Sequence, residues 1–261
     1  MLSLDVKGKI AAAQIAIYVP VVAFTIILVF RYAFRRDGGW LFLFIFSSIR
    51  VAGGALLIAG EMIQPSNIDL FISSYVLQGA GLGPLLISTI GFLGLAGQNT
   101  YSENTRVSVI FRIYGIIGLA GVGLTTAGGV LGTHVSPDQG HIGLILRRVG
   151  AGVFSGLYVL LLLAHIGAWT YRFQMRYYRR KLLWGLTIAL PFLGVRVAYG
   201  ILAAWSSSDL FGVELSPNPT LVKFNPVTGD WIAFLVMSLI MEFVVTTIYL
   251  LSSTILSRRH K

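Results

Sequence analysis

Apolar runs long enough to cross a lipid bilayer recur seven times along the chain, and short polar stretches separate them. About 20 mostly apolar residues span the hydrocarbon core as a helix, and the runs cover residues 10–30, 39–62, 70–97, 107–131, 149–169, 182–204 and 231–256. Seven such spans use nearly all of the 261 residues, which predicts one all-α integral membrane bundle over residues 1–261 with no separate soluble domain. The first run is too long for a signal-peptide core and lacks a small-residue cleavage pattern. Its stronger positive flank, Arg31, Arg35 and Arg36, also follows it rather than preceding it.

The polar stretches set an expected orientation. Gln64 to Asp69 carries no base, whereas Tyr171 to Lys181 holds Arg172, Arg176, Arg179, Arg180 and Lys181. Counted by alternate connections, Lys and Arg number three, one, five and three on one side against two, none, two and one on the other. The richer side is expected in the cytosol, so the N-terminus is outside or lumenal and the C-terminus cytoplasmic. Trp40, Trp169, Trp184, Trp205 and Trp231 all fall at span ends, the interfacial position for tryptophan. Gly132 to Arg148 reads as a loop. Trp205 to Asp230, marked by Pro217, Pro219, Pro226 and Gly229, is the only connection with room for a lid.

Composition narrows the function. With 56% hydrophobic and 11% charged residues, water is not the main solvent. The formal charge of +10 sits in short loops rather than on one folded surface, which argues against nucleic acid as a partner. The absence of cysteine excludes disulfides and thiol chemistry. His134 and His141 share a loop with Asp138, but their spacing is not a helical pair and no third ligand stands nearby, so no metal or cofactor is expected. Phosphate-binding loops, Gly-x-Ser-x-Gly and His-Glu-x-x-His are absent from the sequence.

Inside the spans, Arg50, Arg196 and Glu242 stand out, because a charge at mid-bilayer costs about 2.5–3.5 kcal/mol on insertion scales and needs a partner or an aqueous cavity. At 1.5 Å per residue each lies roughly 16–20 Å into its helix, near the midplane. Glu242 is expected to meet at least one of the arginines, either as an interhelical tie or as part of a site. The other arginine then needs a further acceptor, such as a backbone carbonyl, a ligand oxygen or Glu61 at the end of the second span. Tyr199, three residues from Arg196, shares its face, and Tyr75 and Gln78 have the same spacing. Together these are expected to line a polar cavity between spans two, three, six and seven. Asp209, Glu214 and Asp230 beside its mouth read as solvated loop carboxylates, and Arg112 as a residue snorkelling to the interface. His165 falls near one end of span five. Gly79 with Gly83, and Gly152 with Gly156, have the small-xxx-small spacing of close helix packing. Pro20, Pro84 and Pro191 interrupt backbone hydrogen bonding within spans.

Tyr18-Val-Pro, Gly39-Trp-Leu-Phe-Leu-Phe-Ile-Phe-Ser-Ser-Ile-Arg50, Tyr75-Val-Leu-Gln78, Leu190-Pro-Phe-Leu-Gly-Val-Arg196-Val-Ala-Tyr199, Phe224-Asn-Pro-Val-Thr-Gly229 and Met241-Glu242-Phe cover much of the chain. They resemble an uncharacterised filamentous-fungal family of seven-span proteins. The layout is also similar to fungal lipid-translocating exporter-like proteins. In size, span number and an early and a late acid, Glu61 and Glu242, it resembles membrane-bound natural-product cyclases of fungi.

Two functions follow as expectations. The first is a cofactor-independent enzyme of secondary metabolism, in an endomembrane such as the endoplasmic reticulum, performing acid-promoted cyclisation, isomerisation or epoxide opening of a terpenoid or polyketide. Glu61 or Glu242 supplies the proton, Arg50 or Arg196 orients a substrate oxygen, and Tyr75, Tyr199 and Gln78 line the site. The second is a lipid or small-molecule transporter of the plasma membrane, in which the same midplane charges form the substrate or switch site. Asp-Arg-Tyr ending span three and Asn-Pro-x-x-Tyr in span seven are both absent, which sets a G-protein-coupled receptor below transport. Both leading readings take a lipophilic small molecule or membrane lipid as partner.

Overall fold

The computed structural model of the protein describes residues 5–32, 38–63, 68–98, 100–102, 105–132, 137–206 and 218–257. Its elements are α1 (Val6–Tyr32), α2 (Gly38–Met62), α3 (Ile68–Ala80), α4 (Leu82–Ala96), α5 (Thr105–Leu131), α6 (Pro137–Thr170), α7 (Tyr177–Trp205), the short α8 (Pro219–Val222), α9 (Trp231–Phe234), a π-helical segment (Leu235–Ile240) and α10 (Met241–Ser257). Seven stretches of the described residues are long and apolar enough to cross a membrane, and α3 with α4, and α9 through α10, each make up one of them. The fold is an all-α membrane bundle, as the hydropathy pattern predicts.

The third span is the axis of the bundle. Most of it is buried, far more than any other span, and α4 packs against α2, α5, α6 and α7. Such contact requires backbones to come close. A Cβ on Gly91 would lie 2.6 Å from Gly39 of α2, and one on Gly83 would strike Val122 of α5 at 2.2 Å. Ser88 adds a hydrogen bond of 2.9 Å to the Gly39 carbonyl. The helical hydrogen-bond pattern breaks at Gly81, although the backbone there stays helical, with φ −59° and ψ −25°. Pro84 supplies the reason, since it has no N–H to return to the Ala80 carbonyl and its ring crowds that oxygen. Pro20 and Pro191, by contrast, lie inside continuous α1 and α7.

Four details differ from the sequence expectation. The fifth span begins at residue 137 or 138 rather than 149, so most of the predicted loop Gly132 to Arg148 is helix. Hydropathy reports contact with lipid, not helicity, and these roughly three turns are held against α5 through glycines: a Cβ on Gly128 would lie 2.6 Å from the Arg147 nitrogen, and one on Gly143 2.4 Å from Gly132. Trp40, at the start of α2, packs inside the protein rather than at its surface, edge-on to Phe92 at 4.7 Å. Gly152 and Gly156 are exposed with open space where a Cβ would stand, so they pack against nothing in this chain. Of the other glycine pair, Gly83 packs closely and Gly79 does not.

Residues 218–230 fold back over the bundle end formed by the start of α1 and the end of α2. Asn225 is buried, and its side-chain oxygen accepts from the Val227 and Thr228 nitrogens at 2.7 and 3.2 Å. Lys7 of α1 donates to the Val227 carbonyl. Asp230 accepts from the Ile232 nitrogen at 3.0 Å and so caps α9. Asp209, Glu214, Pro217 and His134 lie outside the described residues.

Candidate functional site

The three midplane charges meet. Glu242 begins α10, directly after the π-helical segment, whose wider turn re-aims the residues that follow. Its Oε1 accepts from Nη2 of Arg50 on α2 and, at 2.5 Å, from Nε of Arg196 on α7. One carboxylate oxygen therefore ties the second, sixth and seventh spans together. All three side chains are buried, Glu242 at 0%, Arg50 at 1% and Arg196 at 4% exposure. Two guanidinium groups against one carboxylate leave one positive charge in excess.

Arg50 is packed on every side. Its guanidinium stands 5.6 Å from the Phe46 ring centre, and a Cβ added at Gly81 would lie 3.5 Å from it. Its carbonyl accepts from Gln14 of α1 at 2.7 Å. Its Nε and Nη1 nevertheless find no protein partner, and neither do Glu242 Oε2, Tyr18 Oη and Thr246 Oγ1. Tyr18 packs edge-on to Phe46 at 5.7 Å and stands beside both Glu242 and Thr246. An unpaired buried polar group costs about 1–3 kcal/mol. Five such atoms around one carboxylate mark a centre that packing alone does not complete.

Arg196 differs from Arg50 in facing a cavity. This space, about 110 Å³, lies between α3, α5, α6, α7 and the seventh span, so spans four and five border it in place of the expected span two. Arg196, Arg147, Gln78, Ser238, Thr125, Tyr75 and Tyr199 contribute its polar groups, and the rest of the wall is mostly apolar. Tyr199 lies beneath the Arg196 guanidinium at 5.8 Å and contacts Phe224 and Phe234 edge-on or tilted. Gln78 is buried, with a long 3.5 Å hydrogen bond to Ser74, which in turn donates to the Gly53 carbonyl. Tyr75 borders this cavity and a smaller neighbour toward Lys7, Asn225 and Trp231.

Arg50, Arg196 and Glu242 are thus joined directly, and Tyr199, Gln78 and Tyr75 lie around the adjoining cavity. Glu61 stands apart. It is eleven residues from Arg50 on the same helix, roughly 16 Å along the axis. There it faces the backbone nitrogens of Asp5 and Gly8 at the start of α1, near Lys7. It is a helix N-terminal partner and not the acceptor for the second arginine. Sequence reasoning did not assign Tyr18, Thr246 or Arg147 to the site. Thr246 lies one turn beyond Glu242 and was open to the same spacing argument as Tyr199. Arg147 was hidden by its assignment to a loop. His165 accepts from Trp169 at 2.9 Å and pairs with Thr187 at 2.9 Å, well removed from this centre. Among the described residues no group of three His, Asp or Glu side chains is placed to hold a metal ion.

No curated protein and no solved structure matches the chain. Over residues 4–259 the chain matches, and belongs to, a family described as a domain of unknown function, DUF7702.

Proposed function

We propose that this member of DUF7702 is a membrane carrier that admits a lipid or lipophilic small molecule from the bilayer and moves it past the Glu242 carboxylate. The observation that carries the reading is the link Arg50–Glu242–Arg196, in which one oxygen holds three spans together. Just before Glu242 the seventh span carries a π turn. Paired charges inside a membrane mark substrate paths and switches, and π turns within helices frequently sit at functional sites. Releasing either arginine from the shared oxygen would separate two spans at one point, which is the kind of two-state element that alternating access requires.

The likeness in layout to fungal lipid-translocating exporter-like proteins agrees with this reading, as does a plasma-membrane location. The basic connections then place the N-terminus outside and the C-terminus in the cytosol. The enzyme reading needs a neutral carboxyl group aimed at substrate. Glu242 Oε1 instead accepts from two cations, and Glu61 faces backbone N–H groups, so the geometry lends that reading less support.

Reconstitution into phosphatidylcholine vesicles with neutral, zwitterionic and anionic fluorescent amphiphiles tests the proposal through transbilayer movement. Wild type accelerates movement of at least one of them, and Glu242→Gln slows it about ten-fold or more, equivalent to roughly 1.4 kcal/mol on the barrier. No acceleration of any amphiphile, or conversion of a terpenoid or polyketide epoxide to product by wild-type microsomes, would overturn it.

A further inference from the structure

We infer that the cavity beside Arg196 binds the anionic head of a single-chain amphiphile, a carboxylate or a phosphate monoester on an alkyl chain, and that Arg196 holds it. The inference rests on the carrier reading and names the chemistry of the cargo.

Arg196 spends only its Nε on Glu242. Its Nη1 and Nη2 have no hydrogen-bond partner among the described residues, although the side chain is 96% buried and lines the cavity. The end of a guanidinium fork that remains after Nε is engaged matches the two oxygens of a carboxylate or phosphate. Charge points the same way. The Arg50–Glu242–Arg196 centre carries one excess positive charge, and no Asp or Glu lines the cavity among the described residues. In surroundings of low dielectric an uncompensated cation attracts an anion far more strongly than in water.

The remaining wall sets the other half of the ligand. Leu82, Phe154, Val197, Ile201 and Phe234 enclose the space below the guanidinium. A cavity of about 150 Å³ takes up benzene, so one of about 110 Å³ accepts an oxyanion and the first few carbons of a chain. The rest of the chain must leave, and Gly79 provides the way. It lines the cavity, is exposed on the third span, and has open space where a Cβ would stand. An apolar wall and an edge reaching the surface of a membrane-spanning helix suit an amphiphile and not a free inorganic anion.

Gly200 allows a test that leaves the ion centre intact. A Cβ there makes only ordinary contacts, 3.5 Å to Leu82 and 3.6 Å to Arg196 Nη1, so Gly200→Leu grows into the cavity beside the fork without reaching Glu242. The purified full chain in phosphatidylcholine nanodiscs is titrated calorimetrically with dodecanoate, dodecyl phosphate, dodecanol, acetate and inorganic phosphate, with empty nanodiscs subtracted. Dodecanoate, dodecyl phosphate or both bind at least ten-fold tighter than dodecanol and the headgroups alone, and whichever binds identifies the head. Arg196→Gln and Gly200→Leu each weaken that binding at least ten-fold. Equal affinity for dodecanol, or wild-type affinity in both variants, would overturn the inference. Anion binding lost in the variants, without transbilayer movement, leaves the site standing and removes the carrier. Movement of neutral amphiphiles without anion binding does the reverse.

Discussion

Two of the polar clusters among the described residues, one around His165 and one around Glu242, are finished to different degrees. Around His165, the Trp169 indole donates to the imidazole Nε2 at 2.9 Å and to Thr187 at 3.2 Å, and Thr187 passes its own proton to the Leu183 carbonyl at 2.9 Å. None of these side chains has a buried atom left unpaired. Around Glu242, five buried polar atoms lack a protein partner and one positive charge is unbalanced. Both clusters join neighbouring helices, so both help to set packing. Burial of polar groups therefore does not by itself mark a site; incompleteness does. The buried atoms of the His165 cluster are paired among themselves, whereas the Glu242 centre opens through Arg196 into a cavity.

The contrast is broken most directly by removing the carboxylate. Glu242→Leu strands two buried guanidinium groups, and loss of one member of a buried ion pair costs about 3–5 kcal/mol. Arg50→Met instead leaves Glu242 with Arg196 as a one-to-one pair and removes the excess charge, so its loss should be less than half as large. Unfolding midpoints of the purified proteins in one detergent measure both. Equal losses would mean that the surplus charge has no energetic weight and that the centre is only a tie between helices.

The charged part of this centre was legible because charge in a membrane is expensive. Arg50, Arg196 and Glu242 needed each other wherever the helices lay, and Tyr199 followed by spacing on the same face. Tyr18 and Thr246 gave no such signal. A hydroxyl is cheap enough in a span to occur anywhere, and an aromatic ring near Pro20 looks like ordinary core. Arg147 was missed for a different reason. About three turns of helix precede the predicted start of the fifth span, and a hydropathy reading ends where the strongly apolar run ends, although the backbone continues along α5. Glu61 was read either as an acid of the site or as an interfacial residue, because an acidic residue at a span end looks the same in sequence whether it serves a substrate or the N-terminus of the helix beside it; the structure sets it against the start of α1. The break in the third span's hydrogen bonding was half visible: Pro84 announced the lost hydrogen bond, but not that a Cβ at Gly81 would lie 3.5 Å from the Arg50 guanidinium.

A smaller effect is expected at the closed cluster. His165→Leu removes the imidazole acceptor, but Trp169 keeps its bond to Thr187, so the loss should be that of one net hydrogen bond, about 0.5–1.5 kcal/mol. Transbilayer movement and anion affinity, measured as above, should stay at wild-type values. A change in either of more than about ten-fold, the equivalent of 1.4 kcal/mol, would place the His165 cluster within the working machinery and erase the distinction drawn between the two.

The smallest effects should come from the unpaired hydroxyls at the centre itself. Tyr18→Phe keeps the edge-on contact with Phe46, and Thr246→Val keeps the side-chain shape. Each removes an oxygen that has no hydrogen bond to protein. Deleting an unpaired buried polar atom relieves a desolvation cost rather than breaking a bond, so both variants should unfold within about 0.5 kcal/mol of wild type or slightly above it. A loss above about 1.5 kcal/mol in either would mean that the Tyr18 and Thr246 hydroxyls, which face each other, are bonded to one another. The centre would then be closer to complete, and the case for a ligand would rest more on the Arg196 cavity.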